Sequence, residues 1–426
     1  MSRLLHFSLY ALVGAFYFAN YFDWAVAPVL EGLKWASALT FFGIILYCSR
    51  KNDVPGGIVI FLPLLILLAV FVASARSEEL ASSMLYFFVT CLIFAASWLF
   101  ANHIANRHAQ TQFFDVVANI GRFVILSNLV MWVAGLNLGR GGPRFSGWTD
   151  NPNTLALMMA PAMIVLAAQI LERRRGWQLW SAPVLLIGLF LLLLTDSRGG
   201  MLWVAMAALA FFAYRQGVGL SFWISVVLGA LALYFWGDLS DFLAAAANRG
   251  TGRISADVLS GRSEMWEIGV ARFFEKPLTG FGPGMSETLL TEGPALRTAQ
   301  GVQFHNSYLT VLVETGVVGA VAVLLVVAIA ILSGVRGSSL LRNQGTRLWP
   351  SRALPWVILV SALGHAFFET WFMSPGNANT FVLWTCVWIL VNERAIVGRG
   401  VPSPRSGSPR AATGQHRATV QAGAGS

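Results

Sequence analysis

Four clusters of polar residues stand out from a chain that is otherwise largely apolar. The first is Arg140-Gly141-Gly142-Pro143-Arg144-Phe145-Ser146-Gly147, running on to Asn151-Pro152-Asn153. Its glycines and proline predict a tight, exposed loop. Arg140 and Arg144 there either meet lipid headgroups, pair with Asp150, or hold a substrate anion. The second, Asp196-Ser197-Arg198-Gly199-Gly200, follows the very apolar run 189–194. Gly199 and Gly200 would let a ligand or another backbone come close to Arg198, whereas a purely structural arginine at this boundary would snorkel to the headgroups.

The third cluster, Gly261-Arg262-Ser263-Glu264, precedes Met265, Trp266, Gly269, Val270, Phe273 and Phe274. Their spacing of three and four predicts an amphipathic helix lying on the membrane or the bundle. Ser263 fits its N-cap and Pro277 follows its end. Arg262 then stands at a helix N-terminus, where backbone N–H groups and a guanidinium make a phosphate site. The alternative is a solvated surface arginine. The fourth cluster is Phe304-His305-Asn306-Ser307-Tyr308-Leu309. Of six histidines, only His305 is expected in an external loop at the start of a span. A neutral imidazole there can take a proton near neutral pH. Asn306 beside it and Glu314 inside the span are further candidates for substrate contact, because a carboxylate within a membrane is costly. Asp257, Glu264 and Glu267 are rival bases. His365 and Glu369, four residues apart, either pair with each other on one helix face or act directly.

The elements that must position these clusters are set by composition. Of 426 residues, 56% are apolar and only 12% charged, about half the charge of an average soluble domain. Apolar runs long enough to span a bilayer recur from Leu4 to Val391. They predict an all-α polytopic membrane protein with about twelve transmembrane helices. The expected spans begin near Leu4, Leu33, Gly57, Leu80, Phe113, Thr154, Trp177, Gly200, Gly219, Ser307, Leu354 and Asn379, with Asp115 and Arg122 interrupting the fifth. The run from Leu4 to Phe22 exceeds a signal-peptide core and reads as an uncleaved first span.

Net charge is +9, but the basic residues gather in short loops and the tail, so the positive-inside rule accounts for them without nucleic acid. On alternating sides, seventeen Lys and Arg fall with Arg3 and the tail, against Arg76, Arg140, Arg144 and Arg198 opposite. Both termini are therefore expected in the cytoplasm. The loops 136–153 and 195–199 and one large loop, 237–306, are expected outside. Residues 1–394 form one membrane domain. The stretch 395–426, rich in Pro, Gly, Ser, Ala and Arg, reads as a disordered cytoplasmic tail. Cys48, Cys91 and Cys386 lie in apolar runs, which predicts no disulfide and no cysteine metal site. The run 280–284 is glycine-rich but follows no strand and lacks a P-loop lysine, so a turn is expected.

Three arginines and an external histidine, without an acidic pair or a metal-ligand cluster, suggest one chemistry. Arginines can neutralise a diphosphate without Mg²⁺ or any other cofactor. The outer face lacks ATP and nucleotide sugars, so a donor there must carry its own activation, as a lipid-linked diphosphate sugar does. An anion or lipid-linked glycan transporter could use the same arginines, but it predicts an inverted repeat, and none is visible in the sequence.

Together these clusters resemble the bacterial O-antigen ligase and O-antigen polymerase superfamily. The carrying motifs are Arg144-Phe145-Ser146-Gly147 to Asn151-Pro152-Asn153, Ser197-Arg198-Gly199, and Gly261-Arg262 with Trp266. To these are added Pro277-Leu278-Thr279-Gly280-Phe281-Gly282 and His305-Asn306-Ser307-Tyr308-Leu309 to Glu314-Thr315-Gly316. The resemblance implies a GT-C-like, metal-independent glycosyltransferase of the bacterial inner membrane with its active site facing the periplasm. Its large periplasmic loop would carry amphipathic helices. Arg198 and Arg262 would bind the diphosphate of an undecaprenyl-diphosphate-linked glycan, and His305 would activate the acceptor hydroxyl, with Arg144 a weaker transfer. For the ligase branch the acceptor is lipid A-core and the product is full-length lipopolysaccharide. O-antigen polymerases and protein O-oligosaccharyltransferases are the related alternatives.

Overall fold

A computed structural model describes residues 1–19, 27–49, 58–104, 107–139, 144–172, 177–217, 262–291, 303–342 and 349–397. Among these residues helix is the only regular secondary structure. The helices are α1 (Arg3–Ala19), α2 (Ala27–Ser49), α3 (Ile58–Ala75), α4 (Leu80–His103) and α5 (Arg107–Val133), then α6 (Pro152–Leu171), α7 (Trp177–Thr195) and α8 (Arg198–Gln216). After the undescribed stretch 218–261 come α9 (Arg262–Glu275), α10 (Ser286–Thr291), α11 (Ser307–Arg342), α12 (Trp349–His365) and α13 (Ala378–Val397). Helix is what such a sequence must form in lipid, because each segment then satisfies its own backbone N–H and C=O groups. Five helical stretches are long and apolar enough to cross a membrane: Val29–Ser49, Leu80–His103, His108–Val133, Pro152–Leu171 and Ser307–Ser338. Eleven of the twelve expected starts fall in or beside a helix. The ninth span, from Gly219, the tail from 398 and Arg140 lie outside the described residues.

The core is built around α6 and α13, whose faces are buried nearly all round. That is the pattern of a helix surrounded by protein. Asn151 caps α6 by accepting from the Asn153 N–H, and Pro152 opens it; a first-turn proline sacrifices no helical bond. Trp384 of α13 lies tilted on Phe94 of α4 at 4.4 Å and on Trp388 at 5.6 Å. Leu33, Leu39 and Leu46 of α2 and Phe61, Leu64 and Leu68 of α3 stay exposed. An apolar solvent explains such a surface.

Two expectations are corrected. Asp115 and Arg122 do not interrupt α5, which is continuous. Arg122 donates to Asn119, to Gln169 Oε1 at 2.6 Å and to Ser181 Oγ at 3.1 Å, and Gln169 donates to Asp115 at 2.9 Å. The charges are carried by a polar network between α5, α6 and α7. Second, α9 begins at Arg262, so Ser263 lies in its first turn and not at the cap.

α11 breaks near its N-terminal end. Gly316 has φ 64°, ψ −170°, and the glycine-rich turn 277–284 plugs the gap. Phe281 N–H donates to Val313 O and Gly282 N–H to Glu314 O, both at 2.9 Å, while Val317 N–H donates back to Pro277 O at 2.8 Å. The helical bonds lost at the break are thereby replaced. Both glycines at the crossing are required. A Cβ on Gly316 would stand 2.3 Å from the Leu278 carbonyl, and one on Gly280 2.4 Å from that of Glu314.

Candidate active site

The N-terminal ends of α6, α8, α9 and α11 and the loop 366–377 converge. His305 precedes α11 with φ 48°, a left-handed conformation that costs a non-glycine residue energy and recurs at functional sites. Its neighbours hold it there. Asn306 Oδ1 accepts from the Tyr308 and Leu309 N–H groups at 3.0 and 3.1 Å, capping α11. Ser307 N–H donates to Ala366 O at 2.8 Å, and Ser307 Oγ–H donates to Glu369 O at 2.6 Å. Tyr308 OH donates to Leu363 O at 2.7 Å. Residues 306–308 therefore latch the α11 entrance onto the 366–372 loop. The side chain of Asn306, a candidate for substrate contact, is committed to the cap.

The latch delivers Glu369 to His305. His305 Nδ1–H donates to Glu369 Oε2 at 3.0 Å, and Arg262 Nη2 donates to Glu369 Oε1 at 3.0 Å. Arg262 Nη1 also donates to Phe368 O at 2.7 Å. The Arg262 and Glu369 side chains are 17% and 18% exposed, that of His305 34%, so His305 is the most open member of the chain. Burial pushes the Glu369 carboxyl up, but its bond to His305 and the charges of His305 and Arg262 outweigh this and hold it below the ordinary carboxylate range. An ionised Glu369 can only accept. It fixes the His305 tautomer and leaves Nε2 as the proton acceptor.

The His365–Glu369 pairing is not formed. α12 ends at His365, so Glu369 lies past the helix. His365 Nδ1 instead accepts from Trp371 Nε1 at 2.8 Å, and its ring stacks on Trp203 at 4.6 Å. Sequence spacing tied Glu369 to the wrong partner. Sidedness was the usable signal: the loop after α12 emerges on the same face as His305.

The arginines divide by role. Arg198 opens α8, whose Ser197 cap accepts from the Gly200 N–H at 3.3 Å, where the helix dipole favours an anion. The space that Gly199 and Gly200 leave is filled by protein. A Cβ on Gly199 would lie 3.3 Å from His365 Nε2, and one on Gly200 2.6 Å from Ala156 Cβ. These glycines pack α8 against α6 and the 366–372 loop. Arg144 Nε donates to Thr195 O at 2.9 Å, and Nη2 donates to Asn153 Oδ1 and Asp196 O at 3.0 Å. Burial lowers its affinity for a proton, and the charges of Arg198 and Arg262 add to this, so Arg144 sits within the field of both. Arg144 braces the turn that presents Arg198. Glu314 sits apart, accepting from Ser286 Oγ at 2.6 Å in a smaller cavity beside the glycine turn.

α9 confirms the amphipathic reading. Met265, Trp266 and Phe273 pack on a small cluster with Phe281, Leu289 and Phe304, while Val270 and Phe274 face outward. Trp266 Nε1 donates to Phe304 O at 2.8 Å, one residue before His305. Glu264 and Glu267 are exposed on this helix. They do not line the cavity of about 780 Å³ onto which His305 and Glu369 open. Asp257, the third rival base, lies outside the described residues.

Residues 182–324 match the family model described as O-antigen ligase. The match supports the O-antigen ligase superfamily. No curated protein matches the chain. The O-antigen ligase match covers about a third of the chain and contains Arg198, Arg262, His305 and the α11 break. Arg144 and Glu369 lie outside it and join the site through the fold. The superfamily carries glycosyltransferase-like activity in general, on lipid-linked glycans at a membrane.

Proposed function

We propose that the protein is an O-antigen ligase of the bacterial inner membrane. It would transfer a glycan from undecaprenyl diphosphate to lipid A-core on the periplasmic face. The observation that carries this reading is the Arg262–Glu369–His305 chain, whose Glu369 and His305 line the large cavity. In the reaction the acceptor O–H gives its proton to His305 Nε2 as its oxygen attacks the anomeric carbon. The bond from that carbon to the diphosphate breaks, and undecaprenyl diphosphate leaves. Arg198 and Arg262 neutralise the charge developing on the leaving group, as preorganised guanidiniums do well. In this reading about twelve helices span the membrane in a GT-C-like arrangement, the 237–306 loop is periplasmic and both termini are cytoplasmic.

Polymerase and protein-glycosylating relatives would use the same donor, so the acceptor decides. Purified protein is incubated with undecaprenyl-diphosphate glycan and either lipid A-core or a second donor molecule. Glycosylated lipid A-core is the expected product. Elongation of the second donor instead would make the protein a polymerase. EDTA is expected to leave the rate unchanged, because guanidiniums take the place of a metal in this reading.

A further inference from the structure

The cavity lined by His305 and Glu369 is also lined by α2, at a group of residues the proposed chemistry does not use. Glu31, Lys34 and Trp35 line it, as does Tyr86 of α4. Lys34 is one of three lysines in the chain and is 5% exposed, seven residues into an apolar helix. Its Nζ donates to Glu31 Oε1 at 2.7 Å and stands 4.9 Å from the Trp35 ring centre. An ion pair of the (i, i+3) type within a membrane helix marks a functional site more often than a structural one, because lipid makes it costly.

We propose that Glu31, Lys34, Trp35 and Tyr86 form the subsite that holds a neutral sugar ring of the acceptor, resting on the assignment of the cavity to a glycan acceptor. Glu31 already balances Lys34, so the pair offers no net charge to a phosphate. It does offer adjacent donor and acceptor atoms, the complement of neighbouring sugar hydroxyls. The aromatic rings supply apolar area for the C–H face of a sugar ring. Arg144, Arg198 and Arg262 do not line this cavity, so the diphosphate and this sugar would occupy separate places around His305.

The test is steady-state transfer by the full-length protein, with undecaprenyl-diphosphate glycan saturating and dephosphorylated lipid A-core varied. Glu31→Gln, Lys34→Gln and Trp35→Leu are compared with wild type. The acceptor KM is expected to rise about tenfold in Glu31→Gln and Lys34→Gln, the scale of one lost hydrogen bond to a charged group, and about threefold in Trp35→Leu, the scale of one lost aromatic contact. kcat and donor binding should stay within about twofold. Glu31 is nearly half exposed, so Glu31→Gln keeps the fold even if Lys34→Gln does not. An unchanged acceptor KM in Glu31→Gln and Trp35→Leu overturns the subsite, while wild-type transfer still upholds the ligase reading. A wild type that binds this core without glycosylating it overturns the ligase reading, and loss of that binding in Glu31→Gln would then still uphold the subsite.

Discussion

His305 and Glu369 are best understood as one unit, since neither has the right chemistry alone. Glu369→Gln leaves the shape intact but removes the charge that fixes the imidazole tautomer. Transfer should fall by about 10²- to 10⁴-fold, the usual range for general-base help. The double variant with His305→Gln should lose little more than either single one, because residues acting as a unit are not additive. A multiplicative loss in the transfer assay would show that they act separately. Glu369 also predicts a pH effect. Its depressed pKa means that its contribution to stability is present above the ordinary carboxylate value and is lost as pH falls through the folded value. Melting curves in detergent should therefore fall more steeply below about pH 4 for wild type than for Glu369→Gln. His305, Arg198 and Arg262 were legible in the sequence because charged residues beside membrane spans need a reason. Glu369 was not, because its partner is 64 residues away, across the interval that α11 and α12 fill.

At the scale of elements, the break in α11 sets where the histidine entrance sits. The 277–284 turn was legible from its glycines, but its docking was not. Gly316 lies in an apolar stretch and reads as an ordinary helical residue until the turn is seen to cross it. Gly316→Ala should cost about 1–3 kcal/mol for the left-handed backbone alone, with the Leu278 collision adding to this. Gly14→Ala, which meets nothing within 4 Å, should leave the melting temperature unchanged or slightly raised. Equal melting temperatures for the two variants would remove the turn as the element that holds the break. The latch makes a similar point. His305, Asn306, Ser307 and Tyr308 form one short motif, yet only His305 faces the cavity. The other three hold backbone, and sequence alone cannot separate a residue that reacts from one that positions it.

At the scale of the whole molecule, the distribution of basic residues predicts one face for the candidate groups, and the helices bring Arg144, Arg198, Arg262 and His305 together at one end of the bundle, with Glu314 apart. Sidedness can be read by single-cysteine labelling. Ser197 and Ser307 are buried and unsuitable, whereas Ala134, just before the expected outer loop 136–153, Thr288, within the expected outer loop 237–306, and Gln216, at the expected inner end of α8, are exposed. Cysteine at 134 and 288 should react with an impermeant reagent from outside, and at 216 only after permeabilisation. Helix existence was legible because lipid leaves the backbone few options. The path of α11 and the cavity between α2 and α6 depend on tertiary packing that no local pattern encodes. The central claim is that His305 removes the acceptor proton while the arginines hold the diphosphate. Its most direct test pairs a donor-binding measurement with a transfer assay on His305→Gln. Donor affinity close to wild type with transfer reduced about 10²- to 10⁴-fold is the expected result. Transfer near the wild-type rate by His305→Gln would contradict it.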